Sequence, residues 1–221
     1  MSSNPTDRDR TEPDPQALSR RHFLRSAGGV AAGGALAGGV LAATTSTPAR
    51  RAPAPGASEL LEGEIEIELE INGEKRKLVC EPRTTLLSAL RNRCAPPLTG
   101  TKEVCDRGNC GACTVHVDGE PALACLLLAV DLRGRRITTI EGLGTPEALN
   151  PLQQSFWKHD GQMCGYCTPG FVMAIQACLN EKPKASLEEL RRSCSGNVCR
   201  CGTYPAVFEA ALAVARGEKS R

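Results

Sequence analysis

Eight of the twelve cysteines fall into two sets of four, and each set has the spacing of iron–sulfur ligands. The first set reads C-x4-C-x2-C followed by a later cysteine, and the second combines a C-x2-C pair with a distant C-x-C pair. One set would suggest a ferredoxin, whereas two different sets predict a relay that passes electrons one at a time. The sets are Cys105, Cys110, Cys113 and Cys125, and Cys164, Cys167, Cys199 and Cys201.

The first set has the order of plant-type ferredoxins, which hold a [2Fe–2S] cluster. Gly108 and Gly111 lie between its cysteines and permit the tight turns that such a loop needs. Backbone N–H groups in this loop can point at the sulfurs and tune the reduction potential. A structural zinc site is the alternative, but zinc ligands usually come as paired knuckles, which this spacing does not match.

The second set is less specific when it is considered alone. Its C-x2-C pair is compatible with a zinc knuckle or a redox dithiol, while its C-x-C pair is harder to explain as zinc. Cys167 precedes Pro169 and Cys201 precedes Pro205, so both pairs are expected near helix starts. Positive helix N-termini favour thiolates and a negatively charged cluster.

Residues 1–57 predict an export signal and linker that precede the folded protein. Residues 19–25, SRRHFLR, form a twin-arginine motif, followed by an uncharged Gly/Ala stretch and a Thr/Pro/Ala tract. We therefore expect a periplasmic protein that is exported already folded, with its clusters inserted beforehand. That route explains why so many cysteines need not form disulfides. A retained membrane anchor is the alternative, although the glycines make a poor spanning helix.

The charge of the remaining chain excludes some partners. Residues 1–57 hold seven of the 27 basic and four of the 25 acidic residues, which leaves 20 basic and 21 acidic residues. Without a basic excess, we expect no nucleic-acid partner and no membrane contact except through the export signal.

The pattern of residues 62–140 predicts a compact α+β domain. Residues 64–71 alternate between glutamate and apolar residues, as a half-buried strand does, and Asn72-Gly73 then predicts a hairpin. A short helix follows from Thr84 or Thr85 to about Arg91. Further strands are predicted at 75–80, 113–117, 122–128 and 136–140.

Residues 145–217 predict a second, all-helical domain that carries the second cysteine set. Prolines stand near the helix starts or in the connections, and no strand pattern is present. Residues 141–144 are the predicted linker between the domains. The predicted helices are 151–158, 170–180, 187–192 and 206–216.

Four segments resemble the small [2Fe–2S] subunit of the molybdenum hydroxylases, a family that includes xanthine dehydrogenase and aldehyde oxidoreductases. The resemblance covers residues 62–217, and it implies a β-grasp ferredoxin domain followed by an all-α four-helix [2Fe–2S] domain. The segments are residues 98–115 (LTGTKEVCDRGNCGACTV), 140–143 (IEGL), 164–170 (CGYCTPG) and 195–204 (SGNVCRCGTY).

The resemblance also implies partners and a role. A large subunit with a molybdopterin cofactor hydroxylates an aldehyde or aromatic N-heterocycle. The set at Cys164 receives the electrons first, and the set at Cys105 passes them to an FAD subunit or a c-type cytochrome. We expect no substrate chemistry from this chain alone, because its sequence offers no catalytic acid–base or nucleophile constellation. The export signal is similar to that of the family's periplasmic branch of aldehyde and isoquinoline oxidoreductases.

Two positions depart from the pattern of the family. Val104 replaces a glycine before the first cluster cysteine, which predicts a different loop conformation there. Met163 replaces the glutamine that often precedes the second set and contacts the pterin in the family. The departure at Met163 argues against the same pterin contact in this chain.

The remaining cysteines and other reactive side chains are predicted to be structural. Buried, inert thiols are the expectation for the cysteines outside the two sets, and a periplasmic disulfide among them is permitted. His116 and His159 lack partners at metal-ligand spacing. Trp157 is predicted to lie in the core or at a subunit interface. The four cysteines are Cys80, Cys94, Cys178 and Cys194.

Two other classes of protein compete with the subunit hypothesis. A free-standing periplasmic two-cluster carrier would be a stable monomer with a charged docking face. A secreted structural module would hold zinc or disulfides, and its protein would be colourless.

Overall fold

The computed structural model describes residues 61–218. The twin-arginine motif and the predicted export segment, residues 1–57, lie outside the described residues, as do residues 219–221. Between residues 61 and 218 no helix has the length and apolar character needed to cross a membrane.

The described residues begin with the predicted β-hairpin. Strand β1 spans Ile65–Ile71 and strand β2 spans Glu74–Cys80, and they pair antiparallel with Ile65 opposite Cys80. The turn residues Asn72 and Gly73 have φ of 55° and 81°. A two-residue hairpin of this left-handed type matches the twist of the strands, so the hairpin prediction from Asn72-Gly73 is confirmed.

Three more strands complete a mixed five-stranded sheet. These are β3 (Thr114–Val117), β4 (Glu120–Leu123) and β5 (Arg136–Thr138), in the order β2-β1-β5-β3-β4. Strands β1 and β5 are parallel, and the other neighbours are antiparallel. The sheet and the helices that follow it confirm an α+β architecture.

Two strand boundaries were predicted too far along the chain. Strand β4 ends at Leu123, and a 3-10 turn at Ala124–Leu126 replaces the predicted continuation to residue 128. Ala124 and Cys125 turn into the core there while Leu126 is exposed, so the backbone leaves the sheet at the residue that must reach the cysteine loop. Likewise, Ile140–Gly142 forms a 3-10 turn rather than the end of a strand.

One short helix packs under the sheet. Helix α1 (Leu86–Ser88) begins where the Thr85 hydroxyl accepts a hydrogen bond from the Ser88 N–H at 3.2 Å, and a π-helical turn at Ala89–Arg93 continues it. The helix therefore runs slightly beyond its predicted end. Its leucines close the first core, whose fully buried members include Leu69, Ile71, Leu86, Leu87, Leu90, Val115 and Ile137.

Four helices follow, at the predicted positions to within two residues. Two of them begin with reciprocal capping boxes, formed by Asn150 with Gln153 and by Ser186 with Glu189. They enclose a separate core that includes Leu152, Phe171, Ile175, Leu190 and Val207. The helices are α2 (Pro151–Lys158), α3 (Thr168–Glu181), α4 (Leu187–Ser193) and α5 (Tyr204–Ala215).

The segment between the two cores is fixed by a carboxylate. Glu141 accepts hydrogen bonds from the Gly100 N–H at 2.8 Å and from the Thr139 hydroxyl at 2.6 Å. Thr139 is held in turn by the side chain of Asn72, at 2.9 and 3.0 Å. The hairpin turn, the linker and the segment that leads to the first cysteine set therefore form one network.

Replacing Glu141 with Ala is expected to lower the free energy of unfolding by about 1–3 kcal/mol, because the Gly100 N–H and Thr139 hydroxyl lose their acceptor. Glu141→Gln keeps one acceptor oxygen and should recover most of the loss. The check is the urea concentration at which the parent and each variant lose their cluster absorbance after a fixed incubation, because cluster loss makes unfolding irreversible. Equal concentrations for the parent and Glu141→Ala would contradict the prediction.

Candidate metal centres

The first cysteine set is gathered by the loop between α1 and β3. The Cys113 thiol donates to the Cys125 sulfur at 3.4 Å, and the thiols of Cys105 and Cys110 are hydrogen-bonded to each other. Cys110 also lies within the electrostatic field of Cys113. The structure thus brings together all four predicted residues, with Cys125 supplied by the 3-10 turn after β4.

Backbone N–H groups of this loop donate hydrogen bonds to the cysteine sulfurs. The Gly108 N–H donates to the Cys125 sulfur at 3.2 Å, and the Asn109 N–H donates to the Cys105 sulfur at 3.3 Å. Gly108 has φ of +76°, and a Cβ there would lie 2.6 Å from the Leu126 side chain. The loop geometry therefore needs glycine at this position, and its N–H groups point at sulfur as predicted.

The thiols of the first set differ in how readily they ionise. The backbone N–H of Arg107 lowers the pKa of Cys105 to about 7, whereas burial raises the pKa of Cys113 to about 12. Iron binds the thiolate form. Cys113, which is only 3% exposed, therefore needs nearby positive charge to ionise, and bound iron would supply it.

The second set is gathered at the N-termini of two helices. Helix α3 begins directly after Cys167, and α5 begins three residues after Cys201. The thiols form two interacting pairs, Cys164 with Cys201 and Cys167 with Cys199. Burial raises the pKa of Cys167 to about 12, while Cys164 and Cys201 are exposed.

Cys199 is held by two residues of its own motif that the sequence analysis did not assign. Burial opposes its ionisation, but hydrogen bonds from the hydroxyl and N–H of Thr203, from the Cys167 thiol and from the Cys201 N–H together lower its pKa to about 7. The Cys199 N–H donates to the Tyr204 hydroxyl at 2.8 Å, and the Tyr204 ring packs edge-on against Phe171 at 5.7 Å. Thr203 and Tyr204 lie in the CRCGTY segment that carries the family resemblance, but only the structure shows that both residues contact Cys199.

The loops that carry the two sets are in direct contact. The Val198 N–H donates to the Cys110 carbonyl at 3.0 Å, and the Asn197 amide donates to the Gly111 carbonyl at 3.0 Å. Gly170 packs so closely that a Cβ there would lie 2.3 Å from the Gly111 carbonyl oxygen. The Tyr166 hydroxyl adds a hydrogen bond to the Glu103 carbonyl at 3.2 Å.

The two sets fit [2Fe–2S] clusters by the chemistry of their donors. Each offers four thiols, and the first also offers N–H groups aimed at sulfur. Within residues 61–218 no group of three or more His, Cys, Asp or Glu side chains is arranged to hold a single metal ion, and the shortest thiol contacts are pairwise.

The other candidate side chains lie outside both sets. His116 is buried and its Nε2 lies 2.8 Å from the Met173 carbonyl, while His159 lies 3.7 Å from Glu209, so both have structural partners. The four remaining cysteines are free thiols, of which Cys178 is half-buried and the other three are buried.

Several large apolar side chains are exposed. Trp157 is 74% exposed, so the alternative that placed it in the core is wrong. Met163, next to the second set, is 75% exposed, and Val104, next to the first, is 58% exposed.

The fold and the two thiol sets define a two-centre iron–sulfur electron-transfer protein. Two family models match the chain. One is described as a 2Fe-2S iron-sulfur cluster binding domain and matches residues 77–160, and the other is described as a [2Fe-2S] binding domain and matches residues 139–212.

Known relatives identify the family more closely. The aldehyde oxidoreductase iron-sulfur-binding subunit PaoA of Escherichia coli O157:H7 is 43% identical over 94% of this chain and 92% of its own length. The nicotine 6-hydroxylase small subunit of Paenarthrobacter nicotinovorans is 43% identical over 67% of this chain and 88% of its own length. The chain belongs to the [2Fe–2S] small subunits of the molybdenum hydroxylases.

Solved structures agree with this assignment. In the crystal structure of quinoline 2-oxidoreductase from Pseudomonas putida 86, one chain superposes with a TM-score of 0.63 and 42% identity, covering 71% of this chain and 99% of that one. The aldehyde oxidoreductase of Desulfovibrio desulfuricans superposes with a TM-score of 0.65 and 37% identity, but this chain covers only 18% of that longer chain.

Proposed function

We propose that each cysteine set holds one [2Fe–2S] cluster and that the two form a single-electron relay. The observation that carries this proposal is the contact between the two loops, because the Cys110 carbonyl accepts a hydrogen bond from the residue next to Cys199. Each cluster, when bound, takes up and releases one electron at a time. The chain's own residues supply thiolates, direct N–H groups at sulfur and keep the two sites close together.

The same proposal assigns the domains. The sheet and α1, residues 62–140, form the β-grasp ferredoxin domain, and the four helices, residues 145–217, form the second cluster domain. Two separate buried cores, one on each side of the Ile140–Gly142 turn, support this division.

The partner in the proposed complex is a large molybdopterin subunit that hydroxylates an aldehyde or an aromatic N-heterocycle. The relatives support both substrate classes, since they include an aldehyde oxidoreductase, a nicotine hydroxylase and a quinoline oxidoreductase. Electrons enter at the Cys164 set and leave from the Cys105 set to an FAD subunit or a c-type cytochrome. The relatives support a partner subunit over a free-standing carrier, since both the Escherichia coli and the Paenarthrobacter nicotinovorans proteins are named as subunits.

The proposed location is the periplasm, reached through the twin-arginine pathway with residues 1–57 as signal and linker. The motif at residues 19–25 supports this. The match to the Escherichia coli subunit spans 94% of the chain, so it extends well into that segment.

Metal analysis of the intact complex tests the proposal. A C-terminally tagged chain purified from the periplasm of its native host should carry about four irons and about one molybdenum, with two distinct EPR signals after reduction. Zinc in place of iron would overturn the relay, and iron without molybdenum would favour a free carrier. A variant with Arg20→Lys and Arg21→Lys serves as the export control and should remain in the cytoplasm.

A further inference from the structure

Lys102, on the loop that leads to the first cysteine set, places a positive charge against the second set. Its ammonium nitrogen lies 5.6 Å from the ring centroid of Tyr166, which directly precedes Cys167. We propose that Lys102 raises the reduction potential of the site formed by the second set, the Cys164 site, where the proposed relay begins. The inference rests on the proposed ligand assignment, and it adds a residue outside both sets that tunes one of them.

Tyr166 connects this charge to the Cys164 site. The backbone N–H of Tyr166 is the main cause that lowers the pKa of the Cys164 thiol, so this N–H and that sulfur are neighbours. The Tyr166 hydroxyl donates to the Glu103 carbonyl at 3.2 Å, directly after Lys102. Because the face of an aromatic ring carries partial negative charge, it attracts the ammonium. Tyr166 therefore contacts Lys102 through its ring and Cys164 through its backbone.

The backbone that carries Lys102 is fixed. The Lys102 N–H donates to the Ala112 carbonyl at 3.2 Å, and the carbonyl of Thr101 accepts a hydrogen bond from the Arg91 guanidinium at 2.9 Å. Thr101 is only 2% exposed, and Lys102 itself is half-buried. The lysine side chain thus starts from a held position and has an aromatic face to pack on, so its charge has a preferred place.

The charge of Lys102 is not neutralised by an ion pair. Among residues 61–218 its ammonium contacts no carboxylate, whereas the ammonium groups of Lys75 and Lys182 each lie 2.9 Å from a glutamate. The positive field of Lys102 is therefore not cancelled by a neighbouring negative side chain before it reaches the second set.

A positive charge beside four thiolates favours the reduced state of a metal site. The thiolates already make the site negative, and an added electron makes it more negative, so a nearby ammonium stabilises the reduced form more than the oxidised form. Cys164 and Cys201 are exposed, so dissolved ions reach the site and screen part of this interaction.

The test is the midpoint potential of each site in the purified, cluster-loaded complex, measured by redox titration followed by EPR at physiological ionic strength. We expect the potential of the Cys164 site to fall in Lys102→Met, which corresponds to a several-fold lower ratio of reduced to oxidised sites at a fixed potential. Lys102→Arg keeps the charge and should keep the parental potential. The difference should shrink at about 1 M salt, where the screening length is about 3 Å.

Two controls make the result specific. A Cys113→Ala background removes a ligand of the first set and so identifies the EPR signal of the Cys164 site. Lys184→Met removes an exposed lysine beyond the C-terminus of α3, whereas Cys167 directly precedes its N-terminus. The helix between them is about 20 Å long, which exceeds the screening length, so both potentials should stay parental in Lys184→Met.

Three outcomes would overturn the proposal. These are a parental potential of the Cys164 site in Lys102→Met, an equal fall in Lys102→Met and Lys102→Arg, and an equal fall at both sites. Lys102→Gln, which is also neutral, is judged by the same criteria if Lys102→Met does not load its clusters. If the parent complex itself lacked two [2Fe–2S] signals, the ligand assignment would have failed, and that outcome is distinct from a failure of the tuning role.

Discussion

Replacing Cys113 with Ala is expected to remove one [2Fe–2S] cluster and to leave the other intact. Cys113 is 3% exposed and its sulfur lies 3.4 Å from that of Cys125 at the centre of the first set. An alanine offers no thiolate, and the three remaining thiols cannot complete the four-thiolate coordination of a [2Fe–2S] cluster. The iron content should fall by about half, and one of the two EPR signals should disappear.

Loss of this cluster should also stop electron delivery to the acceptor. Substrate would still reduce the remaining cluster of the complex, so its EPR signal should appear on addition of substrate while turnover with the acceptor is abolished. This combination separates a broken relay from a chain that has not folded, because an unfolded chain would show neither signal.

Cys80→Ala is the matched control for this experiment. Cys80 is a fully buried thiol in β2 of the same core, and the proposal does not assign it to a cluster. The variant should lose stability through the cavity it creates but keep about four irons. Retention of full iron in Cys113→Ala, or loss of iron in Cys80→Ala, would contradict the ligand assignment.

The second large effect is expected at Gly170, in the first turn of α3. A Cβ at this position would lie 2.3 Å from the Gly111 carbonyl oxygen and 3.0 Å from the Ala112 Cα. Helix propensity alone favours alanine over glycine by about 1 kcal/mol. The clash is with backbone, which cannot rotate away, so overpacking should dominate and destabilise Gly170→Ala by about 2 kcal/mol or more.

Because cluster loss makes unfolding irreversible, the measurement for Gly170→Ala is the temperature at which the cluster absorbance bleaches at a fixed heating rate. Gly196→Ala is the control, since Gly196 stands beside Asn197 and a Cβ there would meet no atom within 4 Å. We expect the bleaching temperature to fall sharply for Gly170→Ala and little for Gly196→Ala. Equal temperatures for Gly170→Ala and the parent would show that the two loops can separate without loss of stability.

Local sequence signals predicted most of the fold because they act over short distances. The glutamate alternation of β1, the Asn72-Gly73 turn and the capping residues Asn150 and Ser186 each specify structure within a few residues. The misplaced end of β4 shows the limit of such signals. There, Cys125 must reach a distant loop, and this tertiary requirement outweighs the strand preference of the continuous apolar run from Ala122 to Leu128.

The cysteine sets could be predicted from spacing, but their surroundings could not. Spacing identifies residues that are close in sequence, whereas the contact of Val198 with Cys110 joins residues that are far apart along the chain. The same holds for Asn197 and Gly170, whose roles depend on the opposite loop. Trp157 gave no sequence signal that separated core from surface, and only the structure shows its exposure.

The contact between the loops has a consequence for how the protein matures. Asn197 and Val198 donate to carbonyls that become fixed only when the first loop is ordered. Ordering of one loop therefore reduces the loss of conformational entropy when the other loop becomes ordered. Thermodynamic linkage requires this effect to be the same in both directions. Filling of one metal site should therefore favour filling of the other, while each site keeps its own four thiols and can still fill alone.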